Sequence, residues 1–234
     1  MTSHSDQERA YQHLRRGIVE GDYAPGSRVV EQRVAEASQC SRTPVREAVR
    51  RLEAEGLVIV EPNRGARVRP LTESVIVDLY GARARLEGYV AGLAAERHDH
   101  AELLDLRGAL DAFDEAATAA VQPRARMAAV RRLEQTNAAF HDLVIVMSRH
   151  QRAAALVAAT VDAPLVFQAF RQFGAAELQR SVTFHHLVAD AIAAREADRA
   201  ERLMVEHVLQ GRDSLLEHLA GGRDISDIFG STGA

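Results

Sequence analysis

Ten histidines occur among the 234 residues, and three of the segments carrying them are apolar with helical spacing. In N-A-A-F-H-D-L, Asn137 and His141 are four residues apart and project from one helix face, while Phe140 lies off it. In F-H-H-L-V-A-D-A-I, His185 and His186 are adjacent, and in M-V-E-H-V-L, His207 follows an acid. His141, His185 and His207 thus fall on three different helices. Converging faces would bring together imidazoles from three directions and an amide oxygen. That donor set suits zinc or a similar first-row divalent ion, which favours nitrogen ligands and can leave a position for water or a small ligand. The competing reading is a set of hydrogen-bonded core histidines. His4, His13, His98, His100, His150 and His218 stand at termini, helix breaks or beside charges, and read as solvated. Arg83 and Glu87, four apart, read as an ion pair along a helix surface.

The elements that must position these groups are helices. The spacing predicts helices over 73–98, 101–119, 125–148, 150–172, 175–195 and 198–219, with breaks near Asp99, Pro123, Gly174 and Ala197 and no strand. Pro164 predicts a kink or split in the fourth. Abundant alanine favours helix and close packing. The end, A-G-G-R-D-I-S-D-I-F-G-S-T-G-A, reads as a mobile tail.

All 29 basic residues are arginine, against 33 acids, for a net charge of −4. Genome composition accounts for the missing lysine, because arginine and alanine share GC-rich codons. The distribution is more informative. Residues 1–71 hold 12 arginines and 10 acids, and 72–234 hold 17 and 23. An anionic partner is therefore expected at the N-terminal part. The single cysteine, Cys40, excludes a disulfide framework and a cysteine-rich zinc fold, and reads as packing. No apolar run opens the chain and no 18 uncharged apolar residues follow one another, so a cytoplasmic protein without a membrane partner is expected.

In the N-terminal part, Ala10, Leu14, Ile18 and Val19 mark a helix over 6–20 that stops at Gly-Asp-Tyr-Ala-Pro-Gly. A second helix is predicted over about 30–38, with Val30, Val34 and Ala35 buried. A third opens at Thr43 as N-cap with Pro44 as first helical residue, buries Val45, Ala48, Val49 and Leu52, and ends at Gly56. Arg42, Arg46 and Arg50 recur every four residues on another side. Two β-branched runs, 57–60 and 66–69, flank Pro62-Asn63-Arg64-Gly65 and predict a hairpin with an arginine near its tip. This is the layout of a winged helix-turn-helix, whose third helix enters a major groove while the wing reaches the adjacent backbone or minor groove.

The run S-R-T-P-V-R-E-A-V-R-R-L-E-x-E-G-L-V at 41–58, within a stretch of about 8–70, resembles the DNA-binding domain of GntR-superfamily bacterial transcription regulators. The resemblance implies that Ser41, Arg42, Thr43 and Arg46 face DNA, with Arg64 and Gly65 in the wing and Arg50 on phosphate. The rest is similar to the FCD ligand-binding domain of the FadR-like subfamily, through R-x-x-L-E at 83–87, N-x-x-F-H at 137–141, H-x-x-V-x-D-A-I at 185–192 and M-x-x-H at 204–207. By that resemblance Asn137, His141, His185 and His207 ligate one divalent ion, zinc first, with nickel or manganese suited to the same donors. Where the family has Asp or Asn, this chain has the neutral amide, so an anionic effector is expected to complete the charge. Arg83 would lie on the pocket wall and grip an effector carboxylate.

The expected protein is mainly α. It comprises a winged helix-turn-helix (1–71), an all-α effector-binding and dimerisation domain (72–222) and a tail (223–234). As a homodimer on an inverted-repeat operator in double-stranded DNA, it would act as a repressor controlled by a small organic acid, and not as an enzyme. A metal-dependent hydrolase fused to a DNA-targeting domain is the alternative. It needs a general base, and Glu206 beside His207 points about 100° away on an ideal helix. A purely structural metal is a third reading.

Overall fold

The computed structural model describes residues 2–61, 64–70, 72–121, 126–160 and 163–220. Two compact units divide between Thr72 and Glu73, with residues 163–168 and those after His218 grouped with the first. The expected tail, Pro62, Asn63 and the break at Pro123 lie outside the described residues.

In the first unit, helix α1 (Thr2–Glu20) stops at Gly21, whose φ is +90°. Its stripe of Ala10, Leu14 and Ile18 packs with Val34 and Ala35 of α2 (Glu31–Ser38) and with Val45, Ala48, Val49 and Leu52 of α3 (Arg42–Ala54). Cys40 packs against the same core, as expected. Helix α3 starts two residues earlier than Thr43 would have it as N-cap: Ser41 holds that position, with φ −77° and ψ 171°. Pro44 becomes the third helical residue, still within the first turn, where no backbone N–H has an intrahelical partner. At the other end Gly56 takes φ +79°, a left-handed turn that costs glycine little. It lets Leu57 N–H donate to Leu52 O at 2.9 Å and Gly56 N–H to Glu53 O at 3.0 Å.

Strands β1 (Arg28–Val29), β2 (Val58–Glu61) and β3 (Gly65–Val68) form an antiparallel sheet in the order β1-β3-β2. The hairpin β2–β3 is the expected one. Strand β1 is not, since two residues carry no periodicity, and it exists only through pairing with β3 (Arg28 opposite Arg67, Val29 opposite Ala66). That pairing turns Val29 inward and leaves Val30, expected to be buried, exposed as the N-cap of α2.

Among its described residues the second unit has helices and no strand: α4 (Glu73–Arg97), α5 (His100–Ala120), α6 (Arg126–Met147), α7 (Gln151–Thr160), α8 (Ala163–Gln172, its first residues in the other unit), α9 (Ala175–Ala193) and α10 (Ala197–Ala220, its last residues in the other unit). Pro164 sits in the first turn of α8, where the expected split occurs. Asp99 caps α5 in a reciprocal box: its carboxylate accepts from Glu102 N–H at 3.0 Å, and Glu102 accepts from Asp99 N–H at 2.8 Å. Helix α4 packs against α6, α7 and α9, and its buried residues run through Ile76, Tyr80, Ala84, Val90, Ala91, Ala94 and Ala95. Gly88 allows α10 to approach closely, because a Cβ there would lie 2.6 Å from Val205 and 3.2 Å from the Glu201 carbonyl. His98, expected in solvent, is buried at the end of α4, with Nδ1 3.0 Å from Ala94 O. The same carbonyl also accepts from His98 N–H at 3.0 Å, so backbone and ring of one residue meet it together.

Candidate functional site

On the first unit, Ser41, Arg42, Thr43, Arg46 and Arg50 are all exposed on α3, off the buried stripe. Arg42 and Arg46 share one carboxylate oxygen of Glu31 in the first turn of α2, at 3.4 and 3.0 Å. Arg50 pairs with Glu47 at 2.9 Å. Such exposed pairs are worth ~0–1 kcal/mol, so they orient the guanidinium groups without locking them. Arg64 and Gly65 lie at the exposed turn into β3, with Gly65 at φ +83°. Sequence reasoning missed three residues of this surface. Glu31 marshals two of the arginines. Arg28 and Arg67 join Arg64 and Gly65 around a cleft of about 370 Å³. Arg28 could be found only through the β1–β3 register, which no local pattern announces.

On the second unit, α6, α9 and α10 bring His141, His185 and His207 together. One ring nitrogen of each lies within 4.8 Å of the others. His141 Nε2 and His207 Nε2 are 3.3 Å apart, and the two rings stack at 5.3 Å between centroids. Two nitrogens bound to one zinc at about 2.0–2.1 Å in tetrahedral geometry are themselves separated by about 3.3 Å. Phe113 and Phe140 flank His185, at 4.2 and 4.3 Å between centroids. The rings are buried, and His185 is fully so. Among the described residues, neither nitrogen of His185 has a hydrogen-bond partner, nor has Nδ1 of His207. A buried polar atom left in that state costs ~1–3 kcal/mol, which a bound cation would offset. The cluster therefore fits a divalent metal.

Asn137 is also buried, one turn before His141 on α6. His186 faces elsewhere, with Nε2 2.8 Å from Asp114 Oδ2 of α5. Arg83 and Glu87 do form the i,i+4 pair, yet in the interior and not on a surface. Glu87 Oε1 accepts from Arg83 Nε, and Glu87 Oε2 lies 2.5 Å from His141 Nδ1. Burial would raise the Glu87 pKa, but the Arg83 guanidinium and the contacts with His141 and Arg83 outweigh it and hold the group well below its ordinary range. With both oxygens engaged and low basicity, Glu87 is a poor general base, and the hydrolase reading loses its nearest carboxylate. The sequence displayed Glu87 only as a helical neighbour of Arg83.

Burial first, and then the neighbouring histidines, push His185 and His207 well below the ordinary 6.5, so both are neutral ligand-ready imidazoles at neutral pH. The unfolded chain then binds more protons than the folded one once the pH falls below about 6.5, and stability decreases in that direction. Metal-free protein is expected to lose up to about 1.4 kcal/mol per pH unit for each of these groups as pH falls below 6.5. Thermal midpoints of chelator-treated protein from pH 7.5 to 5.5 check this, and a flat profile would refute it.

Residues 6–68 match the family model of bacterial regulatory proteins, gntR family, and residues 78–210 match the FCD domain. The chain is 26% identical to the Nta operon transcriptional regulator of Aminobacter aminovorans over 88% of its own length and 92% of that protein. It is 30% identical to the "Probable D-xylose utilization operon transcriptional repressor" of Paenarthrobacter nicotinovorans, over 82% of this chain and 80% of that one. Among solved structures, E. coli McbR/YncC shares the fold with a TM-score of 0.73 at 20% identity, covering 91% of this chain and 98% of that one. A GntR transcriptional regulator from Rhodococcus sp. RHA1 aligns with a TM-score of 0.68 at 25% identity, over 94% and 100%. No helix among the described residues is long and apolar enough to cross a membrane.

Proposed function

Given that the chain belongs to the GntR family of bacterial transcription regulators and carries an FCD domain, we propose that it is a repressor whose operator affinity is set by a small organic acid at a metal-containing pocket. Residues 1–71 bind DNA and 72–222 bind the effector and dimerise. The homodimer places two recognition helices on an inverted repeat. Ser41, Arg42, Thr43 and Arg46 meet the major groove, Arg50 contacts phosphate, and Arg64 and Gly65 occupy the adjacent groove or backbone. The exposure of these residues on one helix and one turn supports this assignment. The relative named as a D-xylose operon repressor supports the sign of regulation.

The observation that carries the metal reading is the buried three-histidine cluster with its orphaned nitrogens. His141, His185 and His207, with the Asn137 amide oxygen, would hold zinc, and nickel or manganese accept the same donors. When bound, the ion supplies positive charge and an open position that attract a carboxylate. With three neutral imidazoles and a neutral amide, the site leaves that charge uncompensated, which favours an anionic effector. Arg83 adds a guanidinium to the same region. Effector and operator are coupled by ~1–3 kcal/mol, or about 5–150-fold in affinity.

Full-length protein is expected to purify with about one divalent metal per chain. In a thermal-shift screen of small organic acids, stabilising acids should lose their effect when a chelator removes the metal. Absence of metal together with no acid response would overturn the proposal.

A further inference from the structure

We infer that Glu87 is the positioning residue of the histidine cluster, fixing the His141 tautomer with one carboxylate oxygen while the other holds Arg83. The inference rests on the metal reading above. Glu87 comes from α4, which carries none of the three histidines, and it is 1% exposed. Its two oxygens have separate partners: Oε1 accepts from Arg83 Nε and Oε2 meets His141 Nδ1 at 2.5 Å.

A carboxylate held by a guanidinium is an acceptor, so the proton of that second contact resides on His141 Nδ1. The lone pair of His141 then stands on Nε2, the atom 3.3 Å from His207 Nε2. The other two imidazoles lack this support. Among the described residues, His185 has no partner at either nitrogen and His207 has none at Nδ1. His141 is thus the pre-oriented member of the three, and its partner 54 residues earlier in the chain sets it. Outer partners of this kind raise ligand basicity and lock ring orientation, and their loss typically weakens metal binding ~10–100-fold.

Arg83 gives the arrangement a second consequence. It balances the Glu87 charge, so the carboxylate orients His141 without cancelling the positive charge that a metal would bring. It also places the arginine expected to grip the effector one residue away, through Glu87, from a metal ligand. The contact with Glu87 is made through Nε, one of five guanidinium donors. Effector capture and metal affinity are then linked through one side chain.

The test is a metal titration of full-length protein at one fixed pH. Cobalt(II) is followed by its visible absorption, and zinc by competition with a chromophoric chelator. Glu87→Gln preserves shape and removes the charge, and is expected to weaken both metals ~10–100-fold. Because that variant leaves Arg83 buried and unpaired, the double variant Arg83→Met/Glu87→Gln is titrated beside it, with metal-free thermal midpoints for both. The same weakening in the double variant supports the inference. Wild-type affinity in both variants overturns it and leaves the metal reading standing. Weakening in the single variant that the double restores also overturns it, since the loss then came from the stranded arginine. If the wild type binds neither ion, the metal reading and this inference fall together.

Discussion

The variant His141→Ala/His185→Ala is expected to purify without stoichiometric metal and to lose the thermal stabilisation that zinc gives the wild type. Only His207 and the Asn137 amide would remain of the donor set, too few to hold a first-row ion against water. A metal that binds only the folded state stabilises it by ~2.7 kcal/mol at 100 times its dissociation constant. For a unit of this size that is about 5–10 °C in midpoint, at about 2–4 °C per kcal/mol. The comparison must be made as the zinc-dependent shift within each protein. Without metal the substitutions act in two directions, opening a cavity between Phe113 and Phe140 while removing imidazole nitrogens that have no partner. Elemental analysis and thermal midpoints with zinc and with chelator read the result. Metal retained at one per chain in the variant would place the site elsewhere.

Arg46→Ala is expected to weaken operator binding by ~1–3 kcal/mol, or about 5–150-fold, the usual worth of a bidentate arginine contact to a base. The fold should not suffer, because the side chain is 59% exposed and lies off the stripe that packs on α1 and α2. Its pairing with Glu31 is worth too little to hold it back from DNA. Anisotropy titrations at two salt concentrations distinguish its roles. Loss of base readout weakens the operator more than random DNA. Loss of a phosphate contact weakens both equally and lowers the salt slope by about one. No change on either DNA at either salt would refute the assignment of α3 as the recognition helix.

Much of this was legible without coordinates, wherever the signal is local. The α3 stripe, Gly56, the β2–β3 hairpin and the breaks at Asp99, Pro164 and Gly174 all follow from contacts within a few residues of chain. Errors arose where a distant partner intervened. Val30 is exposed because Val29 is tied to Ala66 across the sheet. The start of α3 differs from expectation because Ser41, Thr43 and Pro44 are each tolerated near a helix N-terminus, and propensity hardly separates them. His98 is buried at the end of α4 with its ring against Ala94 O, although its sequence neighbours are charged.

The amino-acid sequence alone determined the helices, the arginine face of α3, and the placing of His141, His185 and His207 on three separate helices. Helical periodicity tells which face a side chain occupies on its own helix. How those helices are rotated and spaced against each other depends on packing across tens of residues, and that is decided only in the tertiary structure. Two results belong to it entirely. The first is the convergence of three imidazoles, two of them 3.3 Å apart across 66 residues of chain. The second is the Arg83–Glu87 pair, read from spacing as a surface ion pair and found instead in the interior. There the low dielectric makes an unpaired charge expensive, and Glu87 reaches His141.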